Sequence, residues 1–113
     1  MIRRRHIIFF KNYFLDFYQE SPQVVQLKIE WVLQLISDLE RIPNQYFKHV
    51  ESTKGLFEIR VEVEGNIYRI FSFFDVGNTL VVANAYQKKR NKLSKKEISK
   101  ALNIMKDYHH EKK

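Results

Sequence analysis

Leu56-Phe57-Glu58-Ile59-Arg60-Val61-Glu62-Val63-Glu64-Gly65-Asn66-Ile67-Tyr68-Arg69-Ile70, followed later by Ala85-Tyr86-Gln87-Lys88-Lys89-Arg90, decides how this chain is read. A strand sends successive side chains to opposite faces. Phe57, Ile59, Val61 and Val63 therefore make one apolar face, and Glu58, Arg60, Glu62 and Glu64 make the other. One face builds a core; the other is free for chemistry. A two-residue turn at Gly65-Asn66 would pair Glu64 with Ile67 and set Glu62 opposite Arg69. A second turn at Val76-Gly77 would pair Asp75 with Asn78, set Arg69 opposite Asn84 and bring Tyr86 to the same side. Arg60, Arg69, Asn84 and Tyr86 are then expected on one face of three strands. A change of one residue in either loop would send one strand's side chains to the opposite side.

With 113 residues and no cysteine, the chain is expected to form one domain, residues 1–113, without disulfides or thiolate zinc. No apolar run approaches the length of a membrane span. Arg3-Arg4-Arg5 leads into aromatic, charge-broken sequence with none of the marks of a signal peptide. A soluble, cytoplasmic protein is expected. The net charge of +7 is concentrated at one end: residues 1–86 carry ten Lys/Arg and ten Asp/Glu, residues 87–113 carry ten against three. Such an imbalance suits a polyanionic partner, most simply nucleic acid; a solvated lysine-rich helix is the plain structural reading.

Upstream, Ile7 to Phe9 reads as a short strand. Phe10, Tyr13, Phe14, Phe17 and Tyr18 recur at helical spacing, which places them in the core and not on a base-stacking platform. Ser21-Pro22 breaks and restarts the helix. Val25, Ile29, Val32, Leu33, Ile36 and Leu39 stripe a second helix, expected to end at Ile42-Pro43. Residues 44–55 read as a polar connection carrying Lys48, His49 and Lys54. Strands are expected at about 56–64, 67–75 and 79–87. Ser94-Lys95-Lys96-Glu97 is a capping-box pattern for a last helix whose Ile98, Ala101, Leu102, Met105 and Tyr108 face inward. The fold class expected is α+β: a small antiparallel sheet in the order β-α-α-β-β-β-α, a helical pair on one face, and a C-terminal helix in the basic segment 87–113.

That order, with Leu56-Phe57-Glu58-Ile59-Arg60, Tyr68-Arg69-Ile70 and Tyr86-Gln87-Lys88-Lys89 leading into Leu93-Ser94-Lys95-Lys96-Glu97-Ile98 and Ala101, resembles the RelE/ParE superfamily of bacterial toxins. Within it the chain is most similar to the HigB-type, phage-derived branch, from about Ile7 to about Met105. The resemblance implies a RelE-like fold and the toxin of a type II toxin-antitoxin system. It implies a ribosome-dependent messenger RNA endoribonuclease that inhibits translation, silenced by a HigA-like antitoxin with a helix-turn-helix domain. The family's function would fall on Arg60, Arg69, and Lys88 or Lys89. Members often carry a lysine where Glu58 stands.

Metal-free RNA cleavage must deprotonate the 2′-hydroxyl, stabilise charge on the phosphate and protonate the 5′-oxygen. Arginine forks suit the phosphate because they grip two oxygens and stay charged. Arg60 and Arg69 are assigned to that role. Lys88 or Lys89 adds charge and is a candidate for proton transfer, two arginines nearby lowering its pKa. No cofactor is called for, and no pair of histidines has metal-ligand spacing. Lys48, Lys54, Arg90, Lys92, Lys95 and Lys96 are candidates for RNA phosphate contacts. Tyr86 either stacks on a base, donates a proton or packs. In a purely structural reading, Glu62 pairs with Arg69 across the strands while Glu58 and Glu62 flank Arg60. A gyrase-directed ParE-type toxin and a catalytically silent RNA-binding module are the competing functions.

Overall fold

In the computed structural model, residues 4–88 and 92–112 are described. Lys89 and Arg90, two of the expected site residues, lie outside them. The elements are β1 (His6–Phe9), α1 (Tyr13–Glu20), α2 (Gln23–Asp38), β2 (Phe47–His49), β3 (Leu56–Val63), β4 (Asn66–Asp75), β5 (Thr79–Lys88) and α3 (Lys95–Glu111). The five strands form one sheet in the order β1-β5-β4-β3-β2. β2 through β5 pair antiparallel, while β1 lies parallel to β5 with Ile7 beside Leu80. The α+β architecture and the meander match expectation. The parallel edge and β2, a three-residue strand inside the stretch expected as a connection, are additions to it.

α1 and α2 cover one face. Phe14, Val25, Ile29, Val32 and Ile36 pack there on Ile59, Val61, Tyr68, Ile70, Leu80 and Val82. Ile29, Val32 and Ile36 are fully buried, each worth about 1.5–3 kcal/mol of transfer free energy. α2 ends at Asp38, before Ile42-Pro43, because the chain turns extended at Leu39. There Arg5 takes up the orphaned carbonyls: Nη1 donates to Ile36 O at 3.0 Å and Leu39 O at 2.6 Å, and Nη2 to Glu40 O at 3.0 Å. A cation at a helix C-terminus also complements the helix dipole. Arg5 thus belongs to the fold, not to an RNA surface.

The first hairpin turns at Glu64-Gly65 and not at Gly65-Asn66, pairing Val63 with Asn66. Both turn residues have positive φ, 51° and 82°, which matches the twist of a two-residue hairpin. Every cross-strand partner is thereby displaced from the expected register by two positions along one strand, so the faces survive although the pairs change. Arg60 stands directly opposite Arg69, and Glu62 opposite Ile67.

The second hairpin also departs, twice. Its loop holds three residues, with Asp75 pairing Thr79, which alone would reverse the facing of β5. A β-bulge then sets Ala83 and Asn84 together against Phe71, between the pairs Ser72–Val82 and Ile70–Ala85. The two shifts cancel. Beyond the bulge Tyr86 stands opposite Arg69 and Lys88 opposite Ile67, on the second face of the sheet.

α3 covers one end of that face, packing Ala101, Ile104 and Tyr108 on Phe71, Phe73, Val81 and Ala83. At its start Ser94 Oγ accepts from Glu97 N at 3.2 Å, half of the expected capping box. The other half is redirected: Glu97 accepts from Asn84 Nδ2 at 3.1 Å, while Ser94 N donates to the Tyr86 hydroxyl at 3.2 Å. At its end Tyr108 donates to Asp75 Oδ2 at 2.7 Å and Lys112 Nζ to the same oxygen at 2.5 Å. α3 runs on through His109 and His110 to Glu111. Among the described residues, no helix is long and apolar enough to cross a membrane.

Hydrogen bonds from Lys112, Tyr108 and the Val76 amide hold the Asp75 carboxyl well below the usual carboxylate range. A depressed folded pKa stabilises only where the unfolded chain is also ionised, so the contribution is full above about pH 4 and fades as pH falls further. Asp75→Asn is therefore expected to lose stability at pH 7 and to show a clearly smaller loss at pH 2. Denaturant unfolding at both pH values measures the gap, and a pH-independent gap would remove the carboxylate from the account.

Candidate functional site

The open end of the second face is a small grid of side chains set by strand register. Across its middle run Arg60 on β3, Arg69 on β4 and Tyr86 on β5. Two residues away along the strands on one side stand Lys48, Glu58 and Phe71, and on the other Glu62, Ile67 and Lys88. Two arginines directly opposite one another repel. Each is answered by a glutamate of β3.

Arg69 is 7% exposed and Glu58 likewise 7%; the Arg69 Nη1 group is ion-paired to Glu58 Oε2. Arg60 Nη2 lies 3.6 Å from Glu62 Oε1, with both side chains open to solvent. The cross-strand Glu62–Arg69 pair of the structural reading does not form. Buried Nε atoms of both arginines have no hydrogen-bond partner. Each guanidinium thus keeps a donor that the protein itself does not use.

Lys88, half-buried, sits close enough to feel both arginines. Desolvation first, then repulsion by Arg69 and by Arg60, pushes its ammonium below its ordinary pKa. Burial likewise lowers Arg69, with the Tyr86 hydroxyl acting in the opposite sense. Tyr86 stacks on Phe71 with ring centroids 5.9 Å apart and its hydroxyl accepts from Ser94 N. It serves packing and anchors α3.

Clefts open around the arginines. One of about 320 Å³ exposes Glu58 and Arg69 between Lys48 and His49 on β2, Glu51 just after it, Leu93 just before α3 and Ile98 in α3. Another, of about 310 Å³, exposes Arg60 with Tyr46, Glu62 and Lys28. A third, of about 430 Å³, runs from Tyr86 and Lys88 past Lys92 to Ser94. Lys48 and Lys92 therefore border the site. Lys54, Lys95 and Lys96 are exposed and line none of these clefts. His49 Nε2 is engaged with Thr53 O at 2.9 Å, which leaves its other ring nitrogen for the cleft. Glu58 emerges as the site residue that strand alternation alone assigned to a solvated ladder. Its position opposite Lys48 and diagonal to Arg69 becomes visible only once β2 and the register are known.

The surface is that of a five-stranded α+β domain in which two arginines, each beside a glutamate, and a lysine converge near a basic terminal helix. The chain belongs to the phage-derived Gp49-like family (DUF891), which matches residues 16–106. This is a RelE-like toxin family, and its members typically work opposite an antitoxin. No curated protein matches the chain.

Leaving either member of a buried ion pair alone costs roughly 3–5 kcal/mol, whereas replacing both with apolar groups is often neutral. Arg69→Met and Glu58→Met are each expected to fall in that range by denaturant unfolding. The double variant is expected to be more stable than either single. Losses that simply add would show that the two groups do not act as a pair. Replacement of Arg69 by alanine is expected to carry the same penalty.

Proposed function

We propose that this protein is the toxin of a type II toxin-antitoxin pair, a ribosome-dependent messenger RNA endoribonuclease of the HigB type held silent by a HigA-like antitoxin. The observation that carries the reading is the juxtaposition of Arg60, Arg69 and a destabilised Lys88 ammonium on one open face. Family membership supports the toxin; the arrangement of cations supports RNA as its substrate.

Arg60 and Arg69 grip the scissile phosphate and stabilise the charge that builds on its oxygens. Lys88, in its free-amine form, takes the proton from the 2′-hydroxyl. The 2′-oxygen then bonds to phosphorus, the bond to the 5′-oxygen breaks, and that oxygen leaves with a proton from solvent. The products are a 2′,3′-cyclic phosphate and a 5′-hydroxyl. Lys48 and Lys92 flank the path of the RNA, while Lys95 and Lys96, with Lys54, add sequence-independent attraction to ribosomal RNA. A gyrase-directed toxin would have no use for a phosphate clamp.

Primer extension on a defined messenger RNA tests this. Wild-type protein is expected to give discrete cuts only when ribosomes are present. Arg69→Lys keeps the charge without the fork and is expected to cut roughly 100-fold more slowly; Lys88→Met should also lose the rise of rate with pH. Ribosome binding should weaken steeply with salt. An absence of cuts alongside inhibition of gyrase would replace this reading with the ParE-type one.

A further inference from the structure

In the resting protein the guanidinium that the catalytic reading needs most is already occupied. Arg69 is held by Glu58, both side chains being less than one-tenth exposed. A phosphate entering the 320 Å³ cleft meets a carboxylate beside the arginine it seeks. Something must take that carboxylate away.

The sheet supplies a second partner. Lys48 on β2 is directly opposite Glu58, on the same face and on the far side of it from Arg69. It is exposed and makes no salt bridge among the described residues. Glu58 therefore has a cation on either hand, one buried and one in solvent. Glu58 and the two cations beside it sum to one positive charge, which a phosphodiester's single negative charge would cancel; Glu51 also lines the cleft, at the end of the same segment as Lys48. The Nε of Arg69 is buried and has no partner, so Glu58 does not satisfy the whole guanidinium.

We propose that Glu58 is a displaceable carboxylate: it holds Arg69 while the site is empty and swings onto Lys48 when a phosphodiester arrives. Every charge is paired before the exchange or solvated, and every charge is paired after it. The device also selects ligands. A small anion that reaches Arg69 alone competes with a carboxylate already in place. A phosphodiester gripped at once by Arg60 and Lys88 adds contacts that the carboxylate cannot match. Glu58 is thus a specificity-determining residue for the site, a proposal that rests on the RNA reading given above.

The test is binding of a 2′-O-methyl RNA oligonucleotide, which lacks the attacking hydroxyl, to the full chain by fluorescence anisotropy. Glu58→Gln is expected to bind about tenfold more tightly than wild type, the loss of one competing charge-assisted contact. Glu58→Asp is expected to restore wild-type affinity. Lys48→Met should weaken binding more in the wild-type background than in Glu58→Gln. Unchanged or weaker binding by Glu58→Gln, or equal losses in the two backgrounds, overturns the exchange.

Should Glu58→Gln fail to fold, the wild type answers by NMR. The Arg69 Nε–H and Glu58 carboxyl signals are expected to shift together as the RNA is added, and Lys48→Met to suppress the Glu58 shift. A moving Arg69 signal with a stationary Glu58 overturns the proposal. Ribosome-dependent cuts by wild type alongside either negative result would leave the nuclease standing and remove only the exchange. Failure of wild type both to bind and to cut would remove both.

Discussion

Side-chain parity along β5 is the constraint on which the rest of this surface depends. A strand that pairs regularly from Thr79 would send Val81 and Ala83 toward α3 and hide Tyr86 and Lys88 under the helical pair. The bulge at Ala83-Asn84 inserts one residue and reverses the order from that point onward. Before it, odd-numbered residues lie on the face that carries α3; from Asn84 onward, even-numbered ones do. The same irregularity thus builds the floor under α3 and aims the site's lysine. Asn84, the extra residue, turns its amide to Glu97 and fixes the start of α3 against the bulge.

From that geometry the electrostatics follow. Arg60 and Arg69 face each other, Lys88 stands one strand over, and Glu58 and Glu62 answer the arginines. The two answers are unequal. Glu62 is exposed and 3.6 Å from its arginine, a pairing of little energetic weight in high dielectric. Glu58 is buried with Arg69, where desolvation is severe and the mutual attraction correspondingly large. The result is a graded set of cations: Arg60 open to solvent, Lys88 half-buried and weakened as an ammonium, Arg69 buried and already engaged.

Much of this was legible in the sequence, and the failures have identifiable causes. The alternation in Phe57 to Val63 gave the faces of β3, the stripe from Val25 to Ile36 gave α2, and Ser94 gave the start of α3. The turn at Glu64-Gly65 was missed by one position because a glutamate at positive φ goes against its own preference and is imposed by strand twist. β2 was missed because three residues are too few for a period to show. The bulge left no local mark, since Ala83 and Asn84 read equally well as regular strand. The three-residue loop and the bulge were two unseen irregularities of opposite effect, which is why Tyr86 was nonetheless placed on the right face. Arg5 could not be assigned from sequence at all: its partners are carbonyls of Ile36, Leu39 and Glu40, more than thirty residues away.

Stability does not explain why Arg69 is where it is. At the centre of the sheet, flanked by Tyr68 and Ile70 and opposite Tyr86, an apolar side chain would remove the repulsion from Arg60 and the desolvation of a charge at once. The fold instead keeps an arginine there and sets a glutamate beside it. It leaves the Nε without a partner and opens a cleft onto the pair. Arg5 shows what this chain does with an arginine used for structure: its guanidinium donates to three backbone carbonyls and closes a helix end. Arg69 is the opposite case, buried but incompletely satisfied and reachable from solvent. An incompletely satisfied buried charge persists where some other group completes it during function. On the proposed reading, an anion carrying more than one acceptor oxygen meets that requirement.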